Sequence, residues 1–489
     1  MNADVIIIGA GPVGLMLAGE LRLGGASVIV FEKRETPCGE TRGLGFTSRA
    51  AEVFEQRGLL DRFGKVEMGT QTHFAGVRID PALLDEHHLG VRSIPQHRIE
   101  KVLEEWAREL GASVMRGYTL TDLKDTGDGV VAVVDGPDGS GEHTGRFLVG
   151  CDGARSRVRR LTGIDFSGTE ATRGMYLAEI RGKKMQPRFV GERVPGGMVM
   201  IFPLEDGGVR ITIHEDVAPP PEADHTVTFA EVADAWQRMT GESVHDATPV
   251  WVSAFTDATR QASEYQRGRV FVAGDAGHIH LPVGSQGLSV GVQDAVNLGW
   301  KLAATVKGWA PADLVSTYNG ERHPVGARVL GGTLAQRTIY LNGDEMEPLR
   351  SVMGELVEIP AVARHLAAMV SGLDIRYDMG ASGHPLLGMR IPPNRQLTLT
   401  DGDRVLVGDL LHQARGVLLS VGDQDGAAQL AAGWSDRVDL VTGQWTELWT
   451  SGEVPVQSVL IRPDGYVAWV TPDGGQLEDA LRRWFGSPR

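Results

Sequence analysis

The feature that most constrains the fold of this sequence is the pattern Gly9-x-Gly11-x-x-Gly14, which lies between a predicted strand and a predicted helix. Residues 4–9 form the apolar, β-branched run of a strand buried in a parallel sheet, and residues 12–23 repeat apolar side chains as a helix does. The glycines of such a pattern allow a tight turn, the approach of a pyrophosphate and the packing of helix on strand. The pattern therefore predicts a dinucleotide site at the helix N-terminus.

A second predicted strand, residues 27–32, completes a βαβ unit and ends at Glu32, eighteen residues beyond the last glycine. A carboxylate at this point can accept hydrogen bonds from an adenosine ribose. Pro12 and Val13 in the first helical turn and Lys33 beside the carboxylate are neighbouring candidates. The alternative is that the glycines only form the turn and that Glu32 is a solvated strand-end charge. The pattern by itself does not distinguish FAD from a nicotinamide dinucleotide.

Along the rest of the chain, the residue pattern changes several times. Residues 172–255 are rich in strand-like pieces, the strand-to-glycine pattern returns at 269–275, and a proline-rich break occurs at 384–393. We predict a nucleotide-binding domain in two parts, residues 1–171 and 263–385, an inserted sheet-rich domain at 172–262 joined by residues 75–93, and a small α/β domain at 393–489.

Charge and composition argue against several classes of protein. The chain has 48 Lys and Arg against 63 Asp and Glu, a net charge of −15, which disfavours nucleic acid or an anionic membrane as partner. No apolar run reaches the ~18 residues of a membrane span. Only Cys38 and Cys151 occur, so a reducing cytoplasm is expected and a disulfide framework is not. Adjacent residues rarely bind the same metal ion, so His87 and His88 are not expected to form a metal site.

Two more glycine turns follow predicted buried strands. Asp152 and Gly153 come directly after one apolar strand, and Gly274 and Asp275 come after another. A carboxylate in this position can accept a hydroxyl hydrogen bond from a ligand, although capping of the next turn is the simpler role. The loop 282–287, with glycine at two positions, then leads into a predicted helix.

Together these motifs resemble the three signatures of the FAD-dependent aromatic hydroxylases, flavoprotein monooxygenases similar to para-hydroxybenzoate hydroxylase. The resemblance extends to residues 297–302, 314–324, 384–390 and 462–466 and so covers essentially the whole chain. It is closest to the hydroxylases that tailor aromatic polyketides such as angucyclines and anthracyclines. The implied fold class is α/β, with a Rossmann-like FAD-binding domain, an inserted sheet-rich substrate domain and a thioredoxin-like C-terminal domain that here contains no cysteine.

The resemblance implies FAD as cofactor and NADPH or NADH as a transient reductant. No second Gly-x-Gly-x-x-Gly unit is visible that would form a separate nicotinamide domain. For single members of the set, turn formation, capping or core packing is the alternative role. The residues assigned to FAD are Gly9, Gly11, Pro12, Val13, Gly14, Glu32, Lys33, Arg42, Gln96, Leu120, Asp152, Gly153, Gly274, Asp275, Pro282, Gly284, Gly287 and Leu288.

The inserted domain should form the wall of the substrate pocket. The candidates for substrate contact are Met200, Phe202, His214, Trp251 and Pro282, and ordinary sheet core is the alternative for each strand residue. A phenolate is a better nucleophile than a phenol, so the site should favour the ionised substrate or carry a base. The sequence does not identify that base.

The implied function is hydroxylation of a polycyclic aromatic polyketide phenol with O2, through a flavin C4a-hydroperoxide. One alternative is a simple phenol hydroxylase or a Baeyer–Villiger oxygenase on the same scaffold. Another is a flavin-binding partner protein without oxygenase activity. The partners expected are a phenolic small molecule and O2, and the oligomeric state stays open, with a homodimer as one arrangement.

Overall fold

The computed structural model describes residues 2–39, 43–64, 66, 68–69, 72–84, 88–221, 225–380, 383–421, 426–446, 450–451, 454–471 and 474–489. Arg42 and His87, which were considered above, lie outside the described residues.

The strands on either side of the first glycine turn belong to a large sheet with a parallel centre. The order of its main path is Gln266–Arg267, Val270–Val272, Gly139–Gly150, Asn2–Ile8, Val28–Glu32 and Ser113–Arg116. All pairs along this path are parallel except the first. Val130–Gly136 and Thr119–Asp125 extend Gly139–Gly150 as an antiparallel meander. Val5, Ile6 and Ile7 are fully buried, as expected for a strand covered on both faces.

The helices that cover these sheets agree with the sequence pattern in part. In the described residues the helices of five residues or more are α1 Pro12–Leu23, α2 Ser48–Glu55, α3 Gln96–Glu109, α4 Arg157–Leu161, α5 Phe229–Thr240, α6 Gln286–Val306, α7 Thr317–Leu341, α8 Glu347–Val357, α9 Pro360–Ser371, α10 Ala427–Ala431 and α11 Leu477–Phe485. The sequence pattern predicts a helix from residue 311 to 332, but α7 begins later and continues to Leu341. The pattern does not predict α8 and α9. Pro324 lies inside α7 without ending it.

An antiparallel five-stranded sheet occupies the middle of the chain. Its order is Arg188–Val194, Gly197–Pro203, Val209–Glu215, Gly174–Arg181 and Thr248–Thr256. One face packs against α5, and Trp236 of this helix is fully buried against the strands. A capping box formed by Thr228 and Glu231 begins α5, and Gly241 in the left-handed region ends it.

A mixed six-stranded sheet forms the C-terminal part. Its order is Arg404–Leu406, Gln396–Leu399, Val438–Trp445, Gly416–Val421, Ser458–Ile461 and Val467–Thr471, and α10 and α11 pack against it. The shorter sheets are Phe166–Thr169 with Thr259–Ala262 and His278–Ile279, Gly45–Phe46 with Val91–Ser93 and Met68–Gly69, Thr72–Phe74 with Val77–Ile79, and Thr450–Ser451 with Val454–Pro455. Within the described part of the chain, no helix has the length and apolar character needed to cross a bilayer.

Five buried polar side chains join the C-terminal part to α6 and α7. Glu321 accepts hydrogen bonds from Lys301 at 2.8 Å, from Asn297 and from both terminal nitrogens of Arg462, and Arg462 also pairs with Asp464. We call Asn297, Lys301, Glu321, Arg462 and Asp464 the ionic junction. It explains why polar residues recur in the segments 297–302, 314–324 and 462–466, because they meet in one buried cluster.

Candidate active site

A cavity of about 510 Å³ opens at the carboxyl ends of the central parallel strands. Ligands of open α/β sheets bind at this edge. Thirteen of the residues assigned to FAD line it: Gly9, Gly11, Pro12, Val13, Glu32, Lys33, Gln96, Leu120, Asp152, Gly153, Asp275, Gly287 and Leu288. Segments far apart in sequence therefore converge on one cavity, which is what a single extended ligand requires.

The three glycines of the first turn have different surroundings. Gly9 has a φ of +107°, and a Cβ there would lie 2.4 Å from the carbonyl oxygen of Cys151. A Cβ on Gly14 would lie 2.0 Å from the carbonyl oxygen of Gly9, so this glycine permits the contact of α1 with the strand. A Cβ on Gly11 would meet no protein atom within 4 Å. Only Gly11 keeps space free on the cavity side, where a pyrophosphate can approach.

The N-terminus of α1 provides donors for an anion. Gly11 is the N-cap and offers no side chain, Pro12 follows it, and the first backbone bond runs from the N–H of Leu15 to the carbonyl of Gly11. The N–H groups of the first turn therefore have no acceptor within the helix. The cavity is also lined by Arg155, Arg157 and Arg160. The uncapped turn and these cations fit the pyrophosphate of a dinucleotide such as FAD.

Glu32 and Gln96 are held in place by backbone contacts. The carboxylate of Glu32 accepts hydrogen bonds from the N–H of Ala10 at 2.8 Å and from the N–H of Arg34 at 3.0 Å, one on each oxygen. Each oxygen keeps a further lone pair for a ribose hydroxyl. Gln96 accepts from the N–H of Gly43 at 3.1 Å and donates to Glu100 at 2.8 Å. Burial raises the pKa of Glu100, although its bond with Gln96 lowers it.

The two later glycine turns orient their carboxylates differently. Asp152 accepts hydrogen bonds through Oδ2 from the N–H groups of Arg157 and Val158, at 2.6 and 3.1 Å, and so caps α4. Its Oδ1 is buried and has no hydrogen-bond partner among the described residues. Asp275, by contrast, is exposed at the cavity wall. A carboxylate in that position can accept a ligand hydroxyl.

The other FAD candidates among the described residues do not line this cavity. Gly14 and Gly274 are buried packing positions, and a Cβ on Gly274 would lie 2.8 Å from the side chain of Val13. Pro282 and Gly284 are exposed in the loop before α6. Contact of any of these residues with FAD stays a prediction.

The predicted substrate residues of the five-stranded sheet lie on one face, opposite α5. The strand register pairs Met198 with His214, Met200 with Thr212, Phe202 with Arg210, and Glu179 with Trp251. The next residues along each strand, such as Val199, Ile211 and Val252, pack toward α5 on the other face. Because side chains alternate along a strand, the face that carries the substrate candidates is directed away from α5.

This face adjoins the loop before α6. Met175 and Met198 on the sheet belong to one buried cluster with Leu281 and Val283, and Pro282 lies between those two loop residues. The same segment continues into Gly287 and Leu288 at the cofactor cavity. The loop therefore runs from the sheet face to the cofactor cavity.

The structure does not support a substrate contact by His214. Its ring is fully buried, with Nδ1 2.9 Å from the carbonyl oxygen of Gly174 and Nε2 3.1 Å from that of Leu341. Both ring nitrogens are committed to backbone groups. The histidine joins the end of the central strand Val209–Glu215 to the C-terminal end of α7.

Two polar groups near this region were missed by the sequence analysis. Arg210 is 3% exposed, lies on the same face as Phe202 and pairs with Glu179, and burial lowers its pKa although Glu179 raises it. Because side chains alternate along a strand, the sequence could have placed Arg210 on the same face as His214. His280 donates from Nδ1 to the carbonyl of Leu281 at 2.7 Å, and burial lowers its pKa to about 4. Its neutral ring keeps an acceptor lone pair on Nε2.

Comparison with known proteins gives two family matches. A family described as FAD binding domain matches residues 2–333, and a family described as aromatic-ring hydroxylase, C-terminal, matches residues 384–488. The chain is 42% identical to a 12-dehydrotetracycline 5-monooxygenase/anhydrotetracycline 6-monooxygenase of Streptomyces rimosus subsp. rimosus, over 100% of both chains. It is 42% identical to a rifampicin monooxygenase of Streptomyces venezuelae, over 99% of each. The crystal structure of CabE, an aromatic hydroxylase from angucycline biosynthesis, superposes with a TM-score of 0.95 at 53% identity over 100% of both chains.

Proposed function

The chain belongs to the FAD-binding aromatic-ring hydroxylases, and from that premise we propose that it hydroxylates a fused-ring phenol of the aromatic polyketide class. It is an FAD-dependent aromatic monooxygenase of α/β fold, which uses O2 and takes electrons from NADPH or NADH. The family and the fold class predicted from the sequence motifs are confirmed. The choice of substrate class is supported by the names of the relatives and by the apolar side chains of Met200 and Phe202 on the sheet face.

The observation that carries the proposal is the position of the segment 281–288. Its first part packs with the substrate-facing side of the five-stranded sheet, and its last part lines the cofactor cavity. A ring held on the sheet by Met200 and Phe202 would therefore lie beside whatever occupies that end of the cavity. This is the proximity that transfer of an oxygen atom needs.

When FAD is bound and reduced, it supplies the activation of O2. The chain supplies binding and orientation. The N-terminus of α1 would hold the pyrophosphate, Glu32 would hold the ribose, and Asp275 would accept a further hydroxyl. The apolar residues of the sheet and loop exclude water from the reacting ring. Arg210, a buried cation on the same face, favours the phenolate over the phenol by charge.

The competing functions are not favoured by these relatives. A simple phenol hydroxylase, a Baeyer–Villiger oxygenase and a non-oxygenating flavin partner were the alternatives, and the relatives reported above are named as monooxygenases or an aromatic hydroxylase. No feature of the described residues favours ring insertion over hydroxylation.

The proposal extends to organisation and surroundings. We place the FAD-binding domain at 1–171 and 263–385, the substrate domain at 172–262 and the thioredoxin-like domain at 393–489, with the cytoplasm as location. Support comes from the sheets, which fall within these ranges apart from Thr259–Ala262, a strand of the range 172–262 that pairs with Phe166–Thr169 and His278–Ile279. Further support comes from the two cysteines, neither of which forms a disulfide. The net charge of −15 supports the absence of nucleic acid and membrane partners.

The test is consumption of NADPH, NADH and O2 by the purified, FAD-loaded protein with a panel of fused-ring and single-ring phenols. We expect a rate stimulated by a fused-ring phenol and a product with one added oxygen that keeps the ring. A lactone product would contradict hydroxylation. Flavin that is reduced at a rate no phenol changes, with no oxygenated product, would contradict an oxygenase role.

A further inference from the structure

A second cavity, of about 430 Å³, lies apart from the cofactor cavity, and the two share no lining residue. Its walls are the first turns of α6, the length of α7, the end of α9 and the C-terminal helix α11. Its volume falls within the range of about 300–1,000 Å³ that is typical of small-molecule sites. None of the residues proposed to contact FAD or the substrate lines it, although Val370 in its wall belongs to the buried cluster that includes Met175 and Met198.

Most of the wall is apolar or aromatic. Val290 of α6, Val329 of α7 and Met369 of α9 contribute aliphatic and thioether surface, and Tyr377 and Trp484 contribute rings. Aromatic and aliphatic walls of this kind bind flat apolar molecules.

Two buried polar groups in the wall lack partners. Gln293 is 5% exposed, and its Nε2 donates to the carbonyl of Ser289 at 3.0 Å, whereas its Oε1 has no partner among the described residues. A Cβ on Gly372, another lining residue, would lie 3.5 Å from that amide, so the amide reaches the cavity wall. Trp484 is 1% exposed, and its Nε1 likewise has no partner in the part of the chain described.

Unpaired buried donors and acceptors are unfavourable unless a ligand or water satisfies them. A hydroxyl group can donate to Oε1 of Gln293, and a carbonyl or hydroxyl oxygen can accept from Nε1 of Trp484. At the rim, Asp374 pairs with Arg328 at 2.5 Å through Oδ2, and its Oδ1 has no partner among the described residues. The lining therefore matches a flat molecule that carries hydroxyl and carbonyl groups at its edges.

We propose that this cavity is a second binding site, separate from the reaction site, for a fused-ring phenol. The ligand class follows from the lining, and its equivalence to the substrate class rests on the proposed function. Two residues that line the cavity are hydrogen-bonded to the loop before α6. Ser289 donates to the carbonyl of Ser285 at 3.0 Å, and Gln286 donates to that of Val283 at 3.3 Å. A molecule in this cavity thus contacts the helical turn that follows the substrate-facing loop.

The test is equilibrium dialysis of the FAD-loaded protein with 1,8-dihydroxyanthraquinone, together with a crystal structure of the soaked protein. Gly332 lines the cavity, and the nearest atom to a Cβ there is 4.0 Å away, so Gly332→Phe should fill the space without displacing the backbone. Gly331, its neighbour in α7, has no atom within 4 Å and lies outside the lining, so Gly331→Phe is the matched control.

We expect two molecules bound per chain in the wild type and in Gly331→Phe, and one in Gly332→Phe. Gln293→Leu should weaken the second molecule at least tenfold and leave the first unchanged. One molecule in the wild type, or two in Gly332→Phe, would overturn the proposal. Turnover is measured on the same samples: two bound molecules without oxygenation would refute the proposed function alone, and oxygenation with one bound molecule would refute the second site alone.

Discussion

The cofactor cavity and the ionic junction use similar side chains in opposite ways. At the cavity, Asp275 is exposed and the first turn of α1 has no side-chain cap. At the junction, Lys301 and Arg462 are fully buried, and Glu321 takes up hydrogen bonds from both. Exposed polar groups at a cavity wall can be reached by a ligand, whereas buried polar groups that bond to each other hold two parts of the chain together. The sequence alone shows both as charged motifs.

Breaking the junction should have the largest effect. Arg462→Met removes one cation and leaves Glu321 and Asp464 buried with fewer partners, which should cost about 3–5 kcal/mol of stability. Arg482→Met, which removes an exposed pair with Glu478 on α11, should cost no more than about 0.5 kcal/mol. The thermal midpoints of both FAD-loaded variants measure the contrast. Equal midpoints would mean that the junction is not a stabilising contact.

Blocking the cavity should abolish cofactor binding without unfolding the chain. Gly11 has a φ of −78°, which any residue tolerates, so the side chain of Gly11→Val should enter the pyrophosphate space and weaken FAD binding about 100-fold, or ~2.7 kcal/mol. Its apoprotein should melt as the wild type does. Gly9→Val should instead fail to fold, because its φ and the Cys151 carbonyl forbid a side chain. Normal flavin content in Gly11→Val would place the pyrophosphate elsewhere.

A single carboxylate at the cavity should have an intermediate effect. Asp275→Ala removes an exposed acceptor and should reduce FAD affinity by about 1.5–3 kcal/mol, the usual range for a hydrogen bond to a charged group. The thermal midpoint of the apoprotein should stay unchanged because the side chain is exposed. Flavin retained on purification at the wild-type level would argue against a ligand contact by Asp275.

The smallest expected effect is a pH dependence at the junction. Burial lowers the pKa of Lys301 from 10.5 to about 8, although Glu321 raises it. Between pH 8 and 10.5 the unfolded chain then holds more protons at this group than the folded chain, so its contribution to stability rises with pH. The stability difference between wild type and Lys301→Met should grow by about 1–2 kcal/mol from pH 8 to 9.5.

Thermal midpoints at the two pH values test this. Lys307→Met, at the exposed end of the same helix, provides the control and should keep the wild-type pH dependence. A difference that shrinks with rising pH would contradict the direction given for Lys301.

Local sequence pattern predicted the parts of the fold that local chemistry determines. The turn at Gly9 and Gly11, the limits of α1 and the common face of Met200 and Phe202 all follow from spacing and alternation. The role of His214 did not, because its partners Gly174 and Leu341 are 40 and 127 residues away. The end of α7 was equally hidden, since its glycines and Pro324 weaken the helical pattern that tertiary packing restores.

The candidate site also has features that the sequence predicted and features that it did not. The resemblance to a known family supplied the residues that converge on the cavity, because their motifs are contiguous in sequence. The glycine pattern itself assigned Gly11 to the approach of a pyrophosphate and Gly14 to packing, and the space around each agrees with this. The motif at Gly274 did not distinguish a glycine that packs against Val13 from one that contacts a ligand. That distinction depends on which atoms of distant segments approach each glycine.

The position of Arg462 near the end of the chain also sets an order in time. A ribosome adds about 160 residues between Lys301 and Arg462, on the order of 8 to 30 s at roughly 5–20 residues per second. During this interval α6 and α7 carry charges whose buried partners do not yet exist. The nascent chain must keep these helices hydrated or sheltered until its last segments emerge, so the interior begun at the N-terminus is completed from the C-terminus.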